Sequence, residues 1–299
     1  MAEVTAVKRV LLAGTAAILA FGLSACGTTG EQHPTSSATE STTFNSGVLK
    51  RRLPAEIRDS GEFRIATEGG FAPMVTLANG RPTGFDVDLM DKIAELVGVN
   101  AGYRQVPFSQ ILDNVATEKV DIGARGIFDT KEREKKVDLV TYLRAGTQWA
   151  ARSDKQVDPG NACGLRVGAE SGTTQFTLEL PAKSRACEAI SEKPLEIVPF
   201  DSEDAAFRAL QRGAIEAVSA DSPVILYATK KSAGKLVPVG HAFDTMPYAL
   251  AVQKGSSLGP ILQEAIQHLI DTGELHRIAE RWGVERGVVH KSTLNGAVS

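Results

Sequence analysis

The sequence predicts an α/β fold, and three observations carry that reading. Between about residues 48 and 284, strand-like and helix-like stretches alternate, the pattern that gives mostly parallel sheets. Strand-like stretches run directly into turns rich in glycine and charged residues, as in Glu68-Gly69-Gly70. The alternation comes in two successive runs with no short internal repeat, so two α/β units are expected and not a solenoid. A chain of 299 residues is long enough for two such units.

Residues 1–25 read as a targeting segment, because Lys8 and Arg9 precede an uncharged run over 10–23 that ends in small residues. That run falls short of the ~20 apolar residues that span a bilayer. It closes on Leu23-Ser24-Ala25-Cys26, which resembles the lipobox of bacterial lipoproteins and makes Cys26 the expected lipid-bearing residue. Residues 26–47 are rich in Ser, Thr and Gly and poor in large apolar side chains, so they are expected to form a flexible tether.

The first structured run opens with a strand over 63–66. A helix is expected over 86–97, with Leu89, Ile93, Ala94, Leu96 and Val97 on its apolar face, Asp86 as a cap and Gly98 at its end. A second strand over 120–124 ends at Arg125-Gly126, and Asp129-Thr130-Lys131-Glu132 has capping-box spacing that puts Arg133 in the first turn of a helix. The second run repeats this logic. It has a strand over 165–168, a turn at Glu170-Ser171-Gly172 and a helix opening at Thr173-Thr174. A strand over 195–198, a helix over 203–212 closed by Gly213 and a strand over 215–219 then lead to Asp221. Ser222 is expected to cap the next helix, with Pro223 in its first position. A strand over 248–252 and a helix over 261–270 follow, then a last helix containing Trp282; residues beyond 286 are expected to form a frayed tail.

Composition removes several classes of function. A formal charge of -3 with no basic stripe excludes a nucleic-acid partner. The 5 histidines show no metal-ligand spacing, so neither a metal nor another cofactor is expected. Gly255-Ser256-Ser257-Leu258-Gly259 fits the G-x-S-x-G pattern, but no acid-then-histidine pair follows it, and it reads as a turn. Of the 3 cysteines, Cys26 is taken by lipid, which leaves Cys163 and Cys187 as an even pair for a disulfide in an oxidising compartment.

In open α/β sheets ligands bind at the carboxyl ends of strands. Glu68, Arg125-Gly126, Glu170 to Gln175 and Asp221 all fall there. An α-amino acid needs a cation and N–H donors for its carboxylate and an anion for its ammonium, and Arg133, the Thr173-Thr174 helix start and Asp221 offer that set. Each also has a local reading: Arg133 as a solvated helix charge, the threonines as caps, Asp221 as a turn residue.

The blocks Gly84-Phe85-Asp86-Val87-Asp88-Leu89, Asp129-Thr130-Lys131-Glu132-Arg133 with Val137-Asp138, Gly172-Thr173-Thr174-Gln175, Ala220-Asp221-Ser222-Pro223 and Trp282-Gly283 occur in the order seen in polar amino-acid-binding solute-binding proteins of ABC importers, and the chain resembles that family over about 61–283. The resemblance implies a two-lobed type II periplasmic-binding-protein fold with two hinge strands, lobe 1 at 48–146 plus 247–285, lobe 2 at 147–246 and a tail at 286–299. It implies a monomeric lipoprotein on the outer face of the cytoplasmic membrane that hands its ligand to a permease and a separate ATPase subunit. By resemblance Arg133 takes the α-carboxylate with the backbone of Gly126 and with Thr174, Asp221 takes the ammonium, and Phe71 and Phe108 pack on the ligand side chain. The disulfide is also similar to one in many actinobacterial members.

The sequence departs from the family at three places. Phe128 stands where a Ser or Thr hydroxyl is usual, Arg125 where small residues are usual, and Glu68 and Glu170 at side-chain-reading positions. Arg125 then reads a second ligand carboxylate, as in an acidic amino acid or an opine, or pairs with Glu68 or Glu170 while the acids read a cationic side chain, or forms an internal salt bridge with Glu68 and touches no ligand. Two rival functions share the fold. A cyclohexadienyl-dehydratase-like enzyme would use Glu170 as its acid or base, and a receptor input domain would signal where this chain is expected to deliver.

Overall fold

The computed structural model describes residues 44–298. The targeting segment, Cys26 and the tether up to residue 43 lie outside the described residues. The chain runs α1 (Ser46–Arg52), α2 (Ala55–Ser60), β1 (Glu62–Thr67), the hairpin β2 (Thr76–Ala78) and β3 (Arg81–Thr83), α3 (Phe85–Val97), β4 (Asn100–Gln105) and α4 (Phe108–Ala116). Then come β5 (Ile122–Phe128), α5 (Lys131–Glu134), β6 (Val137–Arg152), β7 (Arg166–Glu170), a π-helical turn (Gln175–Glu179) that passes into α6 (Leu180–Ala189), and β8 (Glu196–Phe200). It finishes with α7 (Glu203–Gln211), β9 (Ala217–Asp221), α8 (Ser222–Lys231), β10 (Leu236–Gln253), α9 (Leu258–Asp271) and α10 (Glu274–Trp282).

The large sheet has the order β4-β1-β5-β10-β6-β9-β7-β8. Two parallel triplets, β4-β1-β5 and β9-β7-β8, flank the long antiparallel pair β6 and β10. One end of β10 pairs with β5 over Tyr248–Val252, and the far end of β6 pairs with β9 over Thr147–Ala151. This is the two-lobed α/β arrangement with two hinge strands. The ladder between β6 and β10 shifts register between Val239 and Phe243, between Phe243 and Met246 and between Tyr248 and Ala249, which kinks the pair where it passes from one triplet to the other. Helix α3 buries Leu89, Met90, Ile93, Ala94 and Val97 against the first triplet. Cys163 and Cys187 form a disulfide within the cluster of Trp149, Val167 and Leu180 beside the second.

Several expectations need correction. The ordered chain starts before residue 48: Phe44 stacks on His268 with ring centroids 3.7 Å apart, and the Asn45 side chain caps α1 by accepting from the Val48 N–H. Asp86 does not cap α3. Gly84 takes that place, and Asp86 is buried. Thr130, not Asp129, caps α5, accepting from Arg133 N–H at 3.3 Å. Asp221 is the cap residue of α8, which moves Ser222 and Pro223 into its first turn.

The tail beyond 286 is a strap and not a frayed end. Leu294 bridges to Val140 and Val288 to Leu143. Buried Ser292 donates from its hydroxyl to Thr141 O at 2.7 Å, and Asn295 both donates to Leu139 O and accepts from Leu139 N–H. Near the end of the strap the Gly296 and Ala297 N–H groups donate to Asp129 and Glu134. Its polar groups find partners on β6 and its backbone N–H groups find the carboxylates of Asp129 and Glu134, which satisfies groups that fraying would leave to water.

Candidate functional site

The residues expected to bind ligand converge from both triplets. Glu68 and Phe71 follow β1, Phe108 opens α4, Arg125, Gly126 and Phe128 lie on β5, and Arg133 lies on α5. From the other side come Glu170 at the end of β7, Thr173, Thr174 and Gln175 in the turn after it, and Asp221 at the end of β9. Strand carboxyl ends thus face one another across the cleft, as the α/β rule requires. The two halves touch: a Cβ on Gly172 would come within 3.0 Å of Ser109, and one on Gly70 within 3.4 Å of Asp204.

Arg133 is half-buried and reaches across this contact. Its Nη1 donates to Phe128 O at 2.9 Å and its Nη2 to Gly172 O at 3.1 Å. Among the described residues it has no ion-pair partner, and desolvation pulls its pKa down to about 10. Asp221 is 5 % exposed and accepts from Gln175 Nε2 at 2.7 Å and from the Tyr248 hydroxyl at 2.5 Å. Burial raises its pKa to about 6 against the pull of those two bonds and of Arg125 and Arg133. A cation satisfied only by carbonyls and a desolvated carboxylate thus feel one another across the cleft.

The other expected residues divide by role. Thr173 is a turn residue: its hydroxyl donates to Glu170 O and accepts from Phe176 N–H. Among the described residues the Thr174 hydroxyl has only a long bond, 3.3 Å to Gln175 Oε1. Gln175 is second to the site, orienting Asp221 and donating to Thr147. The Phe128 ring packs on Tyr248 at 4.9 Å and its carbonyl holds Arg133. The Gly126 N–H is committed to Asp86 Oδ2 at 2.6 Å, so the N–H help expected for a ligand carboxylate is already in use. Gly126 has φ +55, and a Cβ there would press within 2.6 Å of the Phe71 ring, so glycine is required.

Arg125 pairs with Glu170 and not primarily with Glu68. Its Nη2 donates to Glu170 Oε1 at 2.8 Å and Oε2 at 2.7 Å, while Glu68 Oε2 lies 3.6 Å away. Glu68 instead accepts from Phe108 N–H at 2.8 Å, which satisfies the start of α4. Glu170 is 1 % exposed; burial first, and then the neighbouring Glu68, raise its pKa to about 7 against the pull of Arg125.

Three contributors escaped the sequence reading. Asp86 holds Gly126 and accepts from the Tyr142 hydroxyl at 2.8 Å, with burial raising its pKa to about 7. Tyr248 orients Asp221. Glu203, 1 % exposed, sits near Glu170 and Arg125 with both oxygens unpartnered among the described residues, and burial pushes its pKa well up. Only the Gly-Phe-Asp block pointed at Asp86; Tyr248 and Glu203 carry no local signal. Among the described residues no cluster of His, Cys, Asp and Glu is arranged to hold a metal, and no helix is long and apolar enough to cross a membrane.

Known proteins are similar to this chain in sequence and in fold. The family of bacterial extracellular solute-binding proteins, family 3, matches residues 63–285. The arginine-binding protein ArgT of Corynebacterium glutamicum is 33% identical over 250 residues, covering 83% of this chain and 82% of that protein. The arginine-binding extracellular protein ArtP of Bacillus subtilis is 24% identical, covering 92% of this chain and 98% of its own length. Among solved structures, an ancestral arginine-binding protein bound to arginine superposes with a TM-score of 0.68 at 28% identity, covering 74% of this chain and 98% of that one. An ancestral amino acid-binding protein described as a precursor of cyclohexadienyl dehydratase superposes with a TM-score of 0.67 at 27% identity, covering 76% and 97%.

Proposed function

This chain belongs to the bacterial extracellular solute-binding proteins, family 3, and from that premise we propose that it captures an α-amino acid or close derivative by closure of its two lobes and delivers it to an ABC importer. The observation that carries this reading is Arg133, met only by two carbonyl oxygens, opposite the buried carboxylate of Asp221. A zwitterion supplies what each lacks. Its carboxylate forms charge-assisted bonds with the guanidinium, joined by the loosely held Thr174 hydroxyl, and its ammonium meets Asp221. The relatives named for arginine support an amino-acid ligand.

The lobes are assigned to 48–146 plus 247–285 and to 147–246, with β6 and β10 as hinges. Contacts from Thr174 and Asp221 to a ligand seated on Arg133 favour the closed form over the open one. A lipid on Cys26 would hold the monomer at the outer face of the cytoplasmic membrane, where a permease and its ATPase subunit take over.

No chemistry is done on the ligand. Both oxygens of Glu170, the one attractive acid or base, are engaged by Arg125. Prephenate and arogenate are expected to pass unchanged; product from either would convert the reading to a dehydratase.

The direct test is a thermal-shift screen against the amino acids, polyamines, ectoine and opines. A ligand at 100 times its Kd stabilises the native state by about 2.7 kcal/mol. An amino acid is expected to raise the melting temperature of the wild type and to lose that effect in Arg133→Ala and Asp221→Asn. Stabilisation by a polyamine alone, or wild-type shifts in both variants, would contradict the assignment.

A further inference from the structure

The aromatic slot beside the head-group site is already filled by a cation of the protein itself. Arg125 is fully buried, with its Cζ 3.9 Å from the ring centroid of Phe71 and 4.8 Å from that of Phe108. The edge of the guanidinium carries the Glu170 carboxylate, with Glu68 beyond it. Aromatic faces against a planar guanidinium, with carboxylate at its rim, are what an arginine side chain needs for recognition. Here the occupant is anchored on β5, and moving it would strip buried Glu170 of its counter-charge.

Two donors of this guanidinium, Nε and Nη1, are buried and meet no acceptor among the described residues. Buried N–H groups of a charged side chain are ordinarily satisfied, so these point to a ligand atom that completes them. Resting on the amino-acid reading above, we propose that Arg125 determines specificity as a built-in guanidinium. It shuts cationic ligand side chains out of the Phe71–Phe108 slot by bulk and like charge. It offers its free N–H donors to a side chain that ends in an acceptor oxygen, a carboxamide or a carboxylate.

The test is calorimetric titration of the purified protein with arginine and lysine, with glutamine and asparagine, and with glutamate and aspartate, repeated on Arg125→Ser. The wild type is expected to bind at least one acceptor-bearing amino acid tenfold or more tightly than arginine, and the two acceptor series tell carboxamide from carboxylate. Arg125→Ser is expected to lose at least tenfold for that ligand and to gain at least tenfold for arginine, whose guanidinium enters the vacated slot against Glu170. Should the variant fail to fold, the wild-type ranking decides alone. Arginine binding the wild type as tightly as the acceptor series overturns this proposal and leaves the amino-acid reading standing, whereas no binding by any amino acid removes both.

Discussion

The Tyr248 hydroxyl donates to Asp221 Oδ2 at 2.5 Å and joins the buried carboxylate at the end of β9 to the hinge strand β10. That bond is one of two that hold the Asp221 pKa near 6 against desolvation. Tyr248→Phe removes it, so the carboxyl protonates more readily. Amino-acid affinity is expected to fall as pH drops through about 6 in the wild type, because a neutral carboxyl no longer attracts the ammonium, and in Tyr248→Phe the midpoint moves to higher pH. Titration at a series of pH values checks this; an unmoved midpoint counts against it.

The unliganded protein should respond to pH in the opposite sense. Asp86 and Glu170 each have pKa values raised to about 7, against about 4 in the unfolded chain. The native state therefore holds more protons than the unfolded state between about pH 4 and 7, and stability rises as pH falls through that window. The melting temperature without ligand is expected to be higher at pH 5 than at pH 8, with a smaller difference in Asp86→Asn. A lower value at pH 5 contradicts the burial argument.

Deleting residues 288–299 should loosen the site through α5. The strap donates to Asp129 and Glu134, which flank Arg133, and it covers β6 through Ser292, Thr293 and Asn295. Hydrogen bonds of this kind contribute roughly 0.5–1.5 kcal/mol each, offset by the cost of ordering the strap, so a net loss of ~2 kcal/mol and a drop of ~4–8 °C in melting temperature are expected. Ligand affinity should fall as well, since Arg133 loses its support. Calorimetry of the truncated chain tests both; unchanged stability would make the strap ornamental.

Removing the disulfide with Cys163→Ser and Cys187→Ser should act on stability alone. The bond closes a loop with a sequence separation of 24, worth roughly 3 kcal/mol on the chain-entropy model. It packs with Trp149 and Leu180, away from Arg133 and Asp221. Urea melts should show that loss, with wild-type ligand affinity well below the transition; a ligand-binding defect there would show the loop to be part of the site.

Local pattern carried part of the architecture. The apolar face of 86–97 became α3 almost residue for residue, because its spacing is set by helix geometry alone. Hinge strand β6 did not show, and of β10 only 248–252 was read. Strand β6 is buried over nearly its whole length, so its residues lack the alternation that marks a half-exposed strand. The strap was misread because its partners lie some 150 residues away, and polar composition says nothing of where a backbone finds its bonds. In the site, Arg133 was legible as a charge in the first turn of a helix and Asp221 as one at a strand end, while the choice of Glu170 over Glu68 as partner of Arg125 depends on which carboxylate the fold brings nearer. Asp86 looked like a helix cap because its two partners, Gly126 and Tyr142, are distant in sequence.

The central claim is that Arg133 and Asp221 hold opposite ends of one small zwitterion. Titrating wild type, Arg133→Ala and Asp221→Asn with the best amino acid, its α-carboxamide and its deaminated analogue tests that most directly. Each single change to protein or ligand should cost about 2–5 kcal/mol of binding. Arg133→Ala should then be indifferent to loss of the ligand carboxylate, and Asp221→Asn to loss of the ammonium. Losses that simply add, with each variant still discriminating the analogue its missing group is said to read, would contradict the account.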